Sequence, residues 1–111
     1  MDENVKKWLY DIRFAIEEID SYFKNTGKYF EQFKQNTMLK RAIERNLEII
    51  GEATRRILAL TPDIAISHAR KIVNLRNLVI HSYDSISDEN IWAIVIKNLP
   101  ELKKEVDKLI D

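Results

Sequence analysis

Cysteine is absent from the 111 residues. That excludes a disulfide framework, a thiolate metal centre and a cysteine nucleophile. Two glycines and two prolines are too few for the tight turns of an all-β chain. No apolar run approaches the roughly eighteen residues that a membrane span needs. Met1-Asp2-Glu3-Asn4 lacks the basic-then-apolar pattern of a signal peptide, so a soluble cytoplasmic protein is expected. An excess of either charge is missing too, since eighteen basic and eighteen acidic side chains cancel. A general polyanion binder is therefore excluded, and any contact with nucleic acid must be local. No glycine-rich phosphate loop, nucleophile elbow or His-Glu-x-x-His occurs. The two histidines, His68 and His81, have no acid between them and make a poor metal site. No metal and no cofactor are expected.

What the chain does have is helical periodicity. Val5, Trp8, Leu9, Ile12, Ala15, Ile16, Ile19, Tyr22 and Phe23 recur at helical spacing, with charged residues between them. They predict an amphipathic helix from about Asn4 to Lys24, stopped by Asn25-Thr26-Gly27. The aromatic-rich segment Lys28 to Gln35 reads as a short helical turn over the core. Asn36 or Thr37 then caps a long helix reaching about Leu60. Gly51 lies inside it, at a cost of roughly 1 kcal/mol against alanine, and points to close approach by another helix. Glu44, Glu48 and Glu52 sit among Arg41, Arg45, Arg55 and Arg56, which predicts an ion-pair ladder rather than a metal site. After Thr61-Pro62-Asp63, a third helix is expected from Ile66 or Ser67 to Ile80. Ser82 to Ser87 has turn composition, and Ser87 is the expected cap of a fourth helix carrying Ile91, Trp92, Val95, Ile96 and Leu99. Pro100 suits the first position of a fifth, running to Ile110. The fold class is all-α: a compact up-and-down bundle of four to five helices, one domain over residues 1–111.

One window is locally positive. Residues 64–83 hold Arg70, Lys71, Arg76 and both histidines, with no acid. Within it, Arg76 borders an apolar stripe set by Ile72 and Val73, so a charge there needs an anionic or polar partner. His81 follows five residues later. On a continuous helix the two side chains would diverge by about 140°. They converge if the helix ends near Ile80, or if a second subunit supplies one of them. Arginine presents a planar fork of donors to phosphate, and histidine exchanges a proton near neutral pH. Together they suffice for RNA cleavage without metal. His81 would deprotonate the ribose 2′-OH or protonate the leaving 5′-oxygen, and Arg76 would hold the scissile phosphate. Asn77 would add a hydrogen bond, and Arg70 and Lys71 would support RNA binding.

Arg76-x4-His81-x-Tyr83 resembles the motif of the HEPN-domain ribonuclease toxins, specifically the HepT-type family. Ile50-Gly51-Glu52-Ala53 looks like that family's Ile-Gly-Glu-Ala segment, and Trp92 with Leu99-Pro100-Glu101-Leu102 looks like its Trp…Leu-Pro-x-Leu pattern. The likeness thus runs through nearly the whole chain. One departure stands out: Asp63 to Ser67 replaces the family's Ile-Pro-Trp segment. The resemblance implies an all-helical homodimer whose Arg76 and His81 face a composite cleft between subunits and cut RNA without metal. It also implies a minimal nucleotidyltransferase as antitoxin partner, which neutralises the toxin by AMPylation of Tyr83. Added phosphate and adenosine beside Arg76 and His81 would fill the anion site. The alternative is a non-catalytic subunit of a nucleotidyltransferase complex that binds nucleotide or its partner through the same motif. A purely structural bundle, with neither RNA binding nor sensitivity at Arg76, is the weakest reading.

Overall fold

In α1 (Glu3–Tyr22) the apolar stripe becomes one buried face, from Val5 through Leu9, Ile12 and Ile16 to Ile19. The computed structural model describes residues 1–75 and 85–111, the side chains of 85–87 apart. The Asp2 carboxylate caps α1 by accepting from the Asn4 amide at 2.7 Å and the Val5 amide at 3.3 Å. The helix ends two residues before the expected Lys24. Gly27 takes the left-handed conformation, φ 76°, and donates its N–H to the Phe23 carbonyl at 2.9 Å.

The aromatic segment forms α2 (Phe30–Gln35), as its composition predicts. Its Phe33 is fully buried and lies 5.2 Å, centroid to centroid, from Trp92. Phe23 meets the same indole edge-on at 5.8 Å. α3 (Thr37–Leu60) is the spine of the core and opens on Asn36, whose side chain accepts from the Leu39 amide at 3.0 Å. Its polar residues on the packed side are all satisfied. Asn46 donates to Glu18 at 2.8 Å and accepts from the Tyr22 hydroxyl at 2.8 Å. Burial, then the neighbouring Glu18 charge, pushes the Tyr22 hydroxyl above its ordinary pKa.

Two expectations are corrected. The third helix does not start at Ile66 or Ser67. It starts at Ala69, and α4 spans only Ala69–Val73. Ile66 is buried in the core instead, Ser67 is held from outside the helix, and His68 adopts a left-handed conformation, φ 59°. A helix running through 66–68 is incompatible with that backbone. Asn74 interrupts the helix at the other end, its amide donating to the Lys71 carbonyl at 3.1 Å. The predicted end at Ile80 lies outside the described residues.

The second correction concerns the C-terminal half. Ser87 is not a cap, because α5 (Ser85–Ala93) already includes it. Asp88 is buried and bonded to Lys40 of α3 at 3.2 Å, so it ties two helices together. The fifth helix is where the sequence places it, α6 (Leu99–Ile110) with Pro100 in its first turn, but it is continuous with α5 through a π-helical turn, Ile94–Asn98. Pro100 has no N–H for the Ile96 carbonyl, and its ring needs room there. The wider π turn just before it supplies that room, with the Leu99 amide bonded to the Ile94 carbonyl five residues back. Leu99, Leu102 and Val106 then close the core against α1. The result is an all-α bundle, and no helix among the described residues is long and apolar enough to cross a membrane.

Gly51 is where α3 and α4 meet. A Cβ at this position would lie 3.2 Å from the Ile72 carbonyl oxygen and 3.4 Å from that of Val73. Both are backbone atoms and cannot rotate away. Gly51→Leu should therefore destabilise the fold by about 1–3 kcal/mol, the usual cost of overpacking, despite leucine's better helix propensity. The midpoint of urea unfolding measures this, and a more stable variant would contradict the packing account.

Candidate nucleic-acid interface around α4

The close contact at Gly51 fixes α4 on the spine and buries Leu75, the residue before Arg76. Two clefts flank the short helix. Arg70 and Lys71 are successive residues on it, and successive side chains on a helix point about 100° apart. They accordingly line different clefts.

Arg70 lines the larger, an open basic cleft of about 500 Å³ shared with Arg55, Pro62 and Val73. Arg55 is held in place by Glu52, donating to its carboxylate at 2.6 and 3.1 Å, while Arg56 donates to the same group at 3.2 Å. The rest of the predicted ladder is present. Arg45 pairs with Glu48 at 3.4 Å, and Arg41 pairs with Glu44 at 2.6 Å. Glu44 itself is buried rather than on the solvent face. The hydrogen bond from Arg55, with the Coulombic attraction of both arginines, lowers the Glu52 carboxyl from its ordinary 4.5 to about 2.

Lys71 lines the second cleft, about 340 Å³, between α4 and the α5–α6 rod. Its edge is built by an interaction with no local sequence signal. Glu105 of α6 accepts from the Ser67 amide at 2.9 Å and the Ser67 hydroxyl at 2.7 Å. This grips the loop immediately before the left-handed His68, which lines the same cleft. Buried Ile66 and half-buried Ile64 hold the loop from below. They occupy the stretch where the resembling family carries Pro and Trp.

Of the residues nominated from sequence, Arg70 and Lys71 are therefore placed on the surface flanking α4, and on opposite sides of it. Arg76, Asn77, His81 and Tyr83 lie outside the described residues. Missed by sequence reasoning were the Glu105–Ser67 clamp, the π turn and the conformation of His68. Only Pro100, inside an otherwise helical pattern, hinted at the π turn.

A family model described as Ribonuclease HepT-like matches residues 12–109. The chain belongs to this family. It is similar to a protein of Methanocaldococcus jannaschii named "Putative RNase MJ1380", 35% identical over 108 residues and 94% of each chain. It is similar to "Probable ribonuclease HepT" of Thermococcus cleftensis, 33% identical over 113 residues and 98% of each. A third relative, "Putative RNase TTE0752" of Caldanaerobacter subterraneus subsp. tengcongensis, is 32% identical over 106 residues, covering 92% of this chain and 87% of its own. No solved structure shows a significant match. The expected family, the all-α class and the ribonuclease activity with RNA as its substrate class are thus borne out.

A lowered carboxyl pKa stabilises the fold only while the group is ionised. The Glu52 contribution is full above about 4.5 and fades as the pH falls towards about 2. Glu52→Gln should thus lose less stability than the parent between these pH values. The carboxylate is more than a third exposed, so the difference should be small and should shrink in high salt. Denaturation midpoints across the acid range, at low and high ionic strength, test both features.

Proposed function

We propose that the chain is the endoribonuclease toxin of a type II toxin–antitoxin system. In this reading it acts as a homodimer, cuts RNA without metal at a site composed by two subunits, and is neutralised by AMPylation of Tyr83. The observation that carries the reading is the family match across residues 12–109, which contains Arg76-x4-His81-x-Tyr83. The fold supports it in one respect: the segment entering the motif is anchored, since Leu75 is buried where α4 packs on Gly51.

The chemistry follows from the residue types. A histidine base takes the proton of the ribose 2′-OH. The 2′-oxygen then attacks the adjacent phosphorus, forming a 2′,3′-cyclic phosphate, and the P–O5′ bond breaks. The departing 5′-oxygen receives a proton, either from the same imidazole or from the partner subunit's copy. Arg76 offsets the charge that builds on the phosphoryl oxygens, and Asn77 adds a donor. Arg70 and Lys71, exposed on either side of α4, hold the strand beyond the cut. In the AMPylated state the Tyr83 oxygen carries AMP taken from ATP, with pyrophosphate leaving and the phenolic proton passing to solvent. The antitoxin that performs the transfer is a minimal nucleotidyltransferase. The bound phosphate occupies the anion site and repels RNA.

RNA cleavage after chelator treatment should persist in the parent chain. His81→Ala should lower it by at least about a hundredfold, the usual worth of a general acid–base group. Arg76→Ala should cost a similar factor, as loss of transition-state charge stabilisation does. Equal cleavage by parent and His81→Ala chains refutes the assignment. Binding of RNA without any product favours the non-catalytic subunit instead. Coexpression with the nucleotidyltransferase should add AMP to the parent's mass and none to Tyr83→Phe.

A further inference from the structure

The cleft between α4 and the α5–α6 rod has features that the cleavage motif does not account for. Its floor is apolar, made of Ile72, Leu75, Ile94, Leu99 and Leu102. At about 340 Å³ it falls within the usual range of small-molecule sites, roughly 300–1,000 Å³. Two backbone irregularities converge on it. The π turn contributes Ile94 and Asn98 to the lining, and such turns are frequent at functional sites. His68, the one non-glycine residue with positive φ among those described, lies on the opposite edge. Strained backbone persists only where its surroundings hold it, and here the Glu105–Ser67 clamp does so.

We propose that this cleft is a nucleobase subsite, taking one unstacked base that carries an exocyclic amine from the RNA strand. This rests on the ribonuclease reading above and adds binding residues outside the motif sequence. The charge of the lining selects the part of a nucleotide that enters. Among the described residues the lining carries two carboxylates, Glu101 and Glu105, and one cation, Lys71, so a phosphate is repelled from the acidic side and belongs at the Lys71 side. Carboxylates only accept hydrogen bonds, which suits the amine of adenine, cytosine or guanine and disfavours the carbonyl edge of uracil. Asn74 and Asn98, both exposed at the lining, each offer a donor and an acceptor, the combination that reads a base edge. His68 lies on the edge of the cleft, an imidazole is a flat group on which a base can stack, and single-stranded RNA is commonly read by bases splayed into such sites.

The test is a titration of the full chain with AMP, UMP and ribose 5-phosphate, followed by NMR chemical shifts. AMP should bind and UMP should bind at least about tenfold more weakly, the size of one lost base-edge contact. Ribose 5-phosphate should not compete. Ile94→Trp fills the cleft and should abolish AMP binding. If Ile94→Trp fails to fold by circular dichroism, Asn98→Ala at an exposed position takes its place and should weaken AMP severalfold. Binding that survives the cleft variant, or equal binding of UMP or ribose 5-phosphate, overturns the subsite. So does a blank titration. Displacement of AMP by oligoadenylate identifies the strand base as occupant; AMP binding untouched by oligoadenylate overturns the strand assignment in favour of a free mononucleotide. These readouts are independent of RNA cleavage, so a chain that cuts RNA but binds no nucleotide here sinks the subsite alone.

Discussion

At Gly51, a side chain would press against the backbone carbonyls of Ile72 and Val73. That contact constrains the rest of the molecule. With hydrogen at this position, the last turn of a five-residue helix rests directly on the spine of the core. An isolated helix this short has no stability of its own, because nucleation costs more than one turn of hydrogen bonds returns. α4 therefore exists through packing: its Ile72 is half-buried against α3, and Leu75 completes the seal. The glycine gives up helix propensity in α3, and in exchange the segment that leads into Arg76 acquires a fixed starting point.

The opposite wall is set by a different constraint. The α5–α6 rod enters the core at Trp92, whose indole is packed by Phe23, Phe30 and Phe33, and it is tied to α3 by the Lys40–Asp88 pair. Both ends of the rod are thus fixed, the far one through Leu102 and Val106 in the core and the Arg13–Asp107 pair with α1. A proline within such a rod must be accommodated locally. The π turn does this without ending the helix, and it changes which side chains face α4.

Between these walls, the charges are distributed by geometry rather than by composition. The net charge is zero, yet α4 presents Arg70 to a basic cleft reinforced by Arg55, and Lys71 to a cleft carrying two glutamates. Adjacent residues of one helix thereby serve two electrostatic environments. Glu52, held ionised by its two arginines, keeps Arg55 oriented at the basic side. Glu105 performs the equivalent task on the other side by clamping the Ser67 loop.

The sequence by itself determined the all-α class, the stripe of α1, the extent of α3 with its ion pairs, and the meaning of Gly51. It also determined the family, through motifs spread along the chain. These depend on spacing within one element, which the 3.6-residue period makes legible. Only the tertiary structure decided that helix three starts at Ala69 and is interrupted at Asn74, and that helices four and five form one rod. It also decided that Ser67 belongs to Glu105 and that Arg70 and Lys71 part company. Each of these outcomes turns on a partner far away in sequence: Glu105 for Ser67, Lys40 for Asp88, the α3 backbone for α4. Local propensity carries no information about such partners, because the free energy that selects them arises only when distant segments are packed together.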